Sequence, residues 1–419
     1  MKTKSTSELP LCYWSEEPSW SGLPALEAHR YLIFDSDQGG LNNIRLVFDH
    51  AVSVAIATGR TLVIPPTTAM YLINHGPMPE EHKGGHTDYA DLFDLNTLAE
   101  RIPLLTTPEF IDASAQHLNI PIELRELARN DQKIERFTAL WKNWVAHNAA
   151  ILDWNPYKKL VCHPSIAHAR GGPHFEESYV DDREAVELSP AQQAAPVLYL
   201  PSNKSYRSLG PVATMFACKD DELPRLARRV LKYHMRYHPD IYVLADEILS
   251  GFGLGKNGTN CLCQFDAIQV RRNDFQYSET RLGMATIADN IRALFDQDLA
   301  VYVATDEQDA AVLAELAAEL QVPRLLSWAD IDEEIKTKIP YAWIGPIEQL
   351  ICSAARRFVG TDLSTFTSYI HRVRGYLNKG DTNLYYHSIH YEGPDGESSK
   401  LRFRGRDYLR ENPLFWESC

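Results

Sequence analysis

The feature that most restricts this chain is a rhythm between residues 264 and 376. Short apolar runs of strand length alternate with amphipathic stretches of helix length, four times in succession. "QFDAIQV" (264–270) reads as a strand and "MATIADNIRALFDQ" (284–297) as a helix. "LAVYVAT" (299–305) and "QDAAVLAELAAEL" (308–320) repeat the pair, as do "PRLLSW" (323–328) and "GPIEQLICSAARR" (345–357). "FVGT" (358–361) and "STFTSYIHRVRGY" (364–376) close the series, with Ser364 and Thr365 suited to the helix start. Strands that each hand over to a helix of this length do not form hairpins. The helix carries the chain back to the same end, so successive strands lie parallel and helices cover the sheet. The spacing predicts a doubly wound α/β sheet.

The first half carries the same pattern less regularly. "RYLIF" (30–34) is a buried strand ending at Asp35. Ile44, Val47, Phe48, Ala51, Val52 and Ala55 recur at helical spacing and predict a helix over 42–58. Gly59 suits its stop, and "RTLVIPP" (60–66) is the next strand. Polar loops follow at 74–89 and 168–184, with mixed helical patterns over 90–160 and a strand at 196–201. A long helical segment over 221–250 bridges to the second half. Trp141 and Trp144 lie on a helical pattern and read as core packing.

Charge and cysteine usage exclude several classes. A net charge of −14 and a pI near 5.5 argue against a non-specific nucleic-acid binder, which needs a basic footprint. The seven cysteines (12, 162, 218, 261, 263, 352 and 419) form neither a disulfide framework nor a zinc set, and read as reduced thiols. His75, His82 and His86 read as exposed loop histidines rather than metal ligands. The first twenty residues have no apolar core of signal-peptide length, and no window reaches 18 consecutive apolar residues. A cytoplasmic protein without a membrane span is therefore expected, unless a leader has been removed. The sequons at Asn203 and Asn257 then mean little, because glycosylation requires secretion.

Polar sets fall where parallel sheets bind ligands, at strand ends. In the second half these are "VRRNDF" (270–275), "ATDEQD" (304–309) and "GTDLSTF" (360–366). Arg271 and Arg272 have the permanent charge and forked geometry to hold a diphosphate. Ser364 and Thr365 add hydroxyls and helix-start N–H groups, and Asp306 and Glu307 can accept bonds from a base or a ribose. Each set taken singly also suits an ordinary surface turn or helix cap. In the first half, "DQGGLNNIRL" (37–46) joins strand to helix. It lacks the third glycine of G-x-G-x-x-G and the lysine of a phosphate loop.

Taken in order, "DQGGLNNIRL", "GRTLVIPP", "VRRNDF", "VYVATDE" and "IEQLICSAARRFVGTDLSTFTSYIHRVRG" resemble the GDP-fucose protein O-fucosyltransferase family over residues 30 to 376. The resemblance implies a GT-B-type fold, two Rossmann-like doubly wound domains facing across a cleft. The expected division is an acceptor-side domain over 1–222, a GDP-sugar domain over 223–395 and a tail over 396–419 that packs back. It implies inverting transfer of L-fucose from GDP-fucose to a hydroxyl, most simply a protein Ser or Thr, with no metal and no cofactor beyond the sugar donor. A glycan acceptor fits the same chemistry, and a GDP-sugar-binding relative without turnover is the alternative.

Carried over residue by residue, Arg271 is the arginine on the β-phosphate and Asn43 the asparagine facing the sugar. Gln269, Arg272 and Asp274 belong to the same basic motif, Asp306 lies near the nucleoside, and Ser364, Thr365 and Phe366 meet the diphosphate. Gly39 and Gly40 allow close approach in the first turn, with Asn42 and Arg45 as further polar contacts. Two departures stand out. Gln269 occupies the place of the motif's histidine, and the first turn lacks the glutamate of some members, leaving Asp37 as its nearest carboxylate. An oxocarbenium-like route, with the leaving phosphate taking the proton, needs no separate base.

Overall fold

The computed structural model describes residues 29–37, 39–67, 87–129, 133–153, 159–161, 185–202, 216–217, 222–254, 264–272, 280–362, 364–377 and 384–386. Among these the chain divides into two units, one ending at Arg236 and the other beginning at Tyr237.

The strands of the first unit are β1 (Tyr31–Phe34), β2 (Thr61–Ile64), β3 (Leu104–Thr106), β4 (Ala150–Ile151), β5 (Lys159–Val161), β6 (Ala185–Val186), β7 (Val197–Leu200) and β8 (Phe216–Ala217). Its main sheet runs β3-β2-β1-β7-β4, and every pairing in it is parallel. A smaller parallel sheet runs β6-β5-β8. All four residues of β1 are buried, which is why "YLIF" reads as an unbroken apolar run rather than an alternating one. On one face Tyr31, Ile33 and Val63 pack against Phe110, Trp141 and Trp144, so both tryptophans are core residues. On the other, Phe34 stacks on Phe48 of helix Leu41–Thr58, and Tyr89 meets both edge-on. Gly59 closes that helix at φ 63°, a left-handed conformation that favours glycine. The short strands β3 and β4 fall inside the stretch expected to be mixed helical, because two or three residues carry too little periodicity to show.

The second unit has β9 (Phe265–Val270), β10 (Ala300–Thr305), β11 (Leu325–Leu326), β12 (Phe358–Gly360) and β13 (Leu384–Tyr385), ordered β11-β10-β9-β12-β13 and parallel throughout. Ile268, Val270, Val301 and Val303 pack against Met284, Ile287 and Leu316 on one face. Helices Ile344–Ala354 and Thr365–Tyr376 pack against each other. The first ends at Ala354 rather than at 357. Arg374 explains the stop: its buried guanidinium donates to the carbonyls of Ser353 (3.2 Å), Ala355 (2.6 Å) and Arg356 (3.1 Å), cations being favourable at a helix C-terminus.

The expected bridging helix is two helices, Glu222–Tyr233 and Pro239–Gly251. Pro239 sits at a helix start, where its missing N–H is harmless, and His238 caps the second helix through Nδ1. The division after Arg236 also differs from the expected one at 222. Helix Glu222–Tyr233 packs on helix Leu41–Thr58, Arg45 donates to the Met235 carbonyl at 2.6 Å, and Asp94 N–H reaches Arg236 at 3.0 Å. These contacts tie the segment to the first unit. No helix among the described residues is long and apolar enough to cross a membrane. The 396–419 tail, the loop histidines and six of the seven cysteines lie outside the described residues, while Cys352 is a buried free thiol.

Candidate active site

The strand register of the second sheet assembles its mouth. Thr305 pairs with Val270, so the next residues, Asp306 and Arg271, leave the sheet side by side. Arg271 Nη1 lies 3.3 Å from Asp306 Oδ2, and the Arg272 N–H donates to Asp306 Oδ1 at 2.8 Å. The Arg272 Nε lies 3.2 Å from Glu307 Oε2, and its Nη1 donates to the Leu282 carbonyl at 3.3 Å. Two guanidiniums thus stand beside two carboxylates. The Asp306 side chain is 1% exposed and that of Arg271 13%, so the carboxylate is fully covered and the arginine only in part.

The neighbouring strand on the other side is β12, and here the order of strands reverses. Such a switch point opens a crevice at the carboxyl ends. Thr361 leaves β12 and stays fully buried, followed by Asp362 and Ser364. Ser364 caps helix Thr365–Tyr376, its hydroxyl accepting from Thr367 N–H. Gly360 is required at the end of β12: a Cβ there meets the Thr367 methyl at 2.1 Å, far inside contact distance. The glycine lets the helix start rest directly on the strand end.

Gln269, at the penultimate position of β9, faces this junction and is fully buried. Its Oε1 accepts from Thr367 Oγ1 at 2.6 Å and from Thr361 N–H at 3.4 Å. The residue in place of the expected histidine therefore binds strand β9 to helix Thr365–Tyr376.

In the first unit the glycine turn leads from β1 into helix Leu41–Thr58. Gly40 is the N-cap, with no side-chain cap bond, and its carbonyl accepts from Asn43 N–H at 2.9 Å. Asp37 is buried and its Oδ1 accepts from Gly39 N–H at 2.6 Å, so it shapes the turn and is no solvated surface carboxylate. Asn42 is buried and Asn43 half-buried at the helix start. Arg45 is turned into the core, 2% exposed, with Phe93 beneath its guanidinium and its donor on Met235. Through Met235 it ties the helix start to the segment that ends the first unit.

The structure thus brings together Gln269, Arg271, Arg272, Asp306, Ser364 and Thr365 at one sheet edge. Phe366 joins them on the helix but is 9% exposed, with its carbonyl accepting from Gln349. Gly39, Gly40, Asn42 and Asn43 form the first unit's turn, and Asp274 lies outside the described residues. Sequence reasoning passed over Thr361, Thr367 and Tyr386, all buried beneath the arginines. Thr361 and Thr367 flank the recognised "STF"; Tyr386 follows β13, whose two residues sit in a polar stretch that hides the strand.

A parallel sheet whose switch point presents paired arginines and a capped helix start has the make-up of a nucleotide-diphosphate site in a group-transfer enzyme. The sequence matches the family described as GDP-fucose protein O-fucosyltransferase over residues 31–377. The chain belongs to this family of fucosyltransferases, which are glycosyltransferases. No curated protein matches it. Among solved structures it is similar to POFUT1 in complex with GDP-fucose, at 15% identity over 86% of this chain and 98% of that one, TM-score 0.43. It is also similar to the fucosyltransferase NodZ from Bradyrhizobium, at 14% identity over 82% and 93%, TM-score 0.42.

Proposed function

We propose that this chain transfers L-fucose from GDP-fucose to a hydroxyl acceptor, most simply a protein Ser or Thr, with inversion at the anomeric carbon and without a metal. The observation that carries the reading is the part-exposed Arg271, held by Asp306 at the switch point beside the Ser364-capped helix. As the bond from fucosyl C1 to the phosphate oxygen breaks, positive charge grows on the sugar ring and negative charge on the departing GDP. Arg271 and the helix start supply fixed positive charge to that oxygen, and removing such a group typically lowers the rate by ~10²–10³. The acceptor oxygen forms the new bond to C1 from the opposite face, and its proton ends on the phosphate only after GDP has separated from the sugar, passed there through water. Asp37 is not assigned as base, since its carboxylate already binds the turn.

Asn43 supports the sugar side, as the half-buried polar residue at the first unit's helix start. A cytoplasmic location belongs to the same proposal and rests on the scattered, odd-numbered cysteines.

Calorimetric titration with GDP-fucose, GDP-mannose and UDP-glucose tests the reading, together with release of GDP from GDP-fucose with water as acceptor. Selective binding of GDP-fucose that is lost in Arg271→Ala is the expected result. No binding to any donor overturns it, and binding without turnover points to a retired relative.

A further inference from the structure

Beneath Arg271 one hydroxyl makes every bond available to it. Thr361 Oγ1 donates to the Gln269 carbonyl at 2.9 Å, accepts from the Arg271 N–H at 3.0 Å, and accepts from the Tyr386 O–H at 3.1 Å. A hydroxyl has one proton and two lone pairs, so all three are engaged. The first two partners flank Val270 on β9. They are the carbonyl and the N–H that a strand residue opposite Val270 bonds in a parallel ladder. The ladder between β9 and β12 is paired at Phe358 with Ala267 and at Val359 with Ile268. Past it, the Thr361 side chain does the work of a backbone unit, as donor and acceptor at once. The strands part to open the crevice while the root of Arg271 stays registered to β12.

The same residue reaches the helix. The Thr361 N–H donates to Thr367 Oγ1 at 3.0 Å, and Thr367 Oγ1 donates to Gln269 Oε1 at 2.6 Å. Gln269 Oε1 thereby closes a ring through Thr361, Thr367 and β9. Its Nε2 is buried without a partner among the described residues, so the ring depends on the oxygen side of that amide. Tyr386 is buried too, which pushes its phenol above the ordinary tyrosine range and keeps it a donor, to Thr361 Oγ1 at 3.1 Å and, more weakly, to the Thr280 carbonyl at 3.4 Å.

We propose that Thr361 is the positioning residue of the donor site: its hydroxyl fixes the backbone of Arg271 relative to the start of helix Thr365–Tyr376, so that guanidinium and helix start meet one diphosphate together. This rests on the GDP-fucose reading above. Thr361 touches no substrate; it acts through Arg271.

The test compares Thr361→Val, which keeps the shape and loses the hydroxyl, with Thr361→Ser, which keeps the hydroxyl. Two quantities are read in the full chain: amide hydrogen exchange at Arg271, and steady-state release of GDP from GDP-fucose. Leaving buried groups unpaired in this way typically corresponds to roughly a 10- to 100-fold change. The valine variant should exchange the Arg271 amide faster by that factor and lose kcat by a similar one. KM should move less than about threefold, because the guanidinium charge remains and only its placement is lost. Serine should restore both. If Thr361→Val does not fold, Thr361→Cys carries the same comparison, since a thiol bonds only weakly.

A folded valine variant with wild-type exchange and kcat overturns the proposal while leaving the donor site intact. So does a loss of kcat with the Arg271 amide still protected, or a serine variant that fails to restore it. A wild-type chain that binds no GDP-fucose overturns the donor reading, and with it the functional role of Thr361. The exchange comparison then still decides whether the hydroxyl fixes Arg271.

Discussion

The two main sheets share a plan and differ at their mouths. In each, the first strand of the unit is central and the order reverses beside it, at β1 and β7 in one and at β9 and β12 in the other. After β1 come Asp35, Ser36 and Asp37; after β9 come Arg271 and Arg272. Asp35 Oδ2 accepts from Tyr199 O–H at 2.5 Å and from Ser202 N–H at 3.2 Å. Burial, and then the Asp35 charge, push the Tyr199 phenol well above its ordinary range, so it remains a donor to that carboxylate. One mouth is built of carboxylates and hydroxyls, the other of guanidiniums with matched carboxylates. Topology fixes where a ligand can sit, and the two residues after the central strand decide which ligand it can be.

The sharpest way to break this contrast is to remove the leading charge from each mouth. Arg271→Ala should lower GDP release from GDP-fucose by ~10²–10³. Asp35→Asn, in the other unit, should leave GDP affinity within about twofold, as for sites that share no partner. Calorimetry with GDP on both variants decides it, and an equal loss in the two erases the distinction.

Acid should separate the units next. His371, in helix Thr365–Tyr376, packs between Phe358 and Tyr385, and burial, with Arg374 nearby, lowers its pKa to about 3. Its folded value lies below the unfolded one near 6.5. The neutral ring therefore costs nothing above pH 6.5, and stability is lost as pH falls from there toward 3. The loss is on the order of a few kcal/mol at the acid end. His371→Phe should flatten this slope. Hydrogen exchange followed through that range should show the second unit opening first in the wild type, and no such order in the variant.

Gly360→Ala comes third. The added methyl overpacks Thr367, which should cost about 1–3 kcal/mol and appear as a lower thermal midpoint with weaker GDP binding. Asp306→Asn comes last. Removing the carboxylate beside Arg271 takes one negative charge from the path of an incoming diphosphate. The pair is largely buried, but asparagine keeps an acceptor on the Arg272 N–H, so the change is about 1–3 kcal/mol; GDP should bind roughly tenfold tighter while kcat falls as Arg271 loses its holder. Weaker GDP binding in this variant would show that orientation, not charge balance, sets affinity.

The contrast also marks what the sequence could tell. The main strands and helices of the second unit were legible, because fully buried parallel strands and amphipathic helices have strong, distinct periods. Their ends were not: helix 284–297 stops at Ile291 and strand 323–328 shrinks to Leu325–Leu326. Arg271, Arg272, Asp306 and Ser364 were legible for a related reason: they follow the ends of such elements. Thr361, Thr367 and Tyr386 were not, since a buried hydroxyl looks the same in sequence whether it stitches two strands or caps a turn. Arg45 shows the same limit: its bond to the carbonyl of Met235, remote in sequence, has no local sign. Long-range partners of that kind leave no local pattern.

Gly360 and Thr367 carry one more consequence, for how this site can vary over generations. With no room for even a methyl on the strand end, position 360 accepts a side chain only after position 367 has become smaller. Yet Thr367 cannot shrink to alanine without giving up its hydroxyl on Gln269. Serine at 367 removes the methyl but keeps the hydroxyl oxygen and the Cβ, which stand 2.6 and 2.9 Å from a Cβ at 360, still inside contact distance. Glycine at 360 is therefore fixed for as long as position 367 carries the hydroxyl that Gln269 needs.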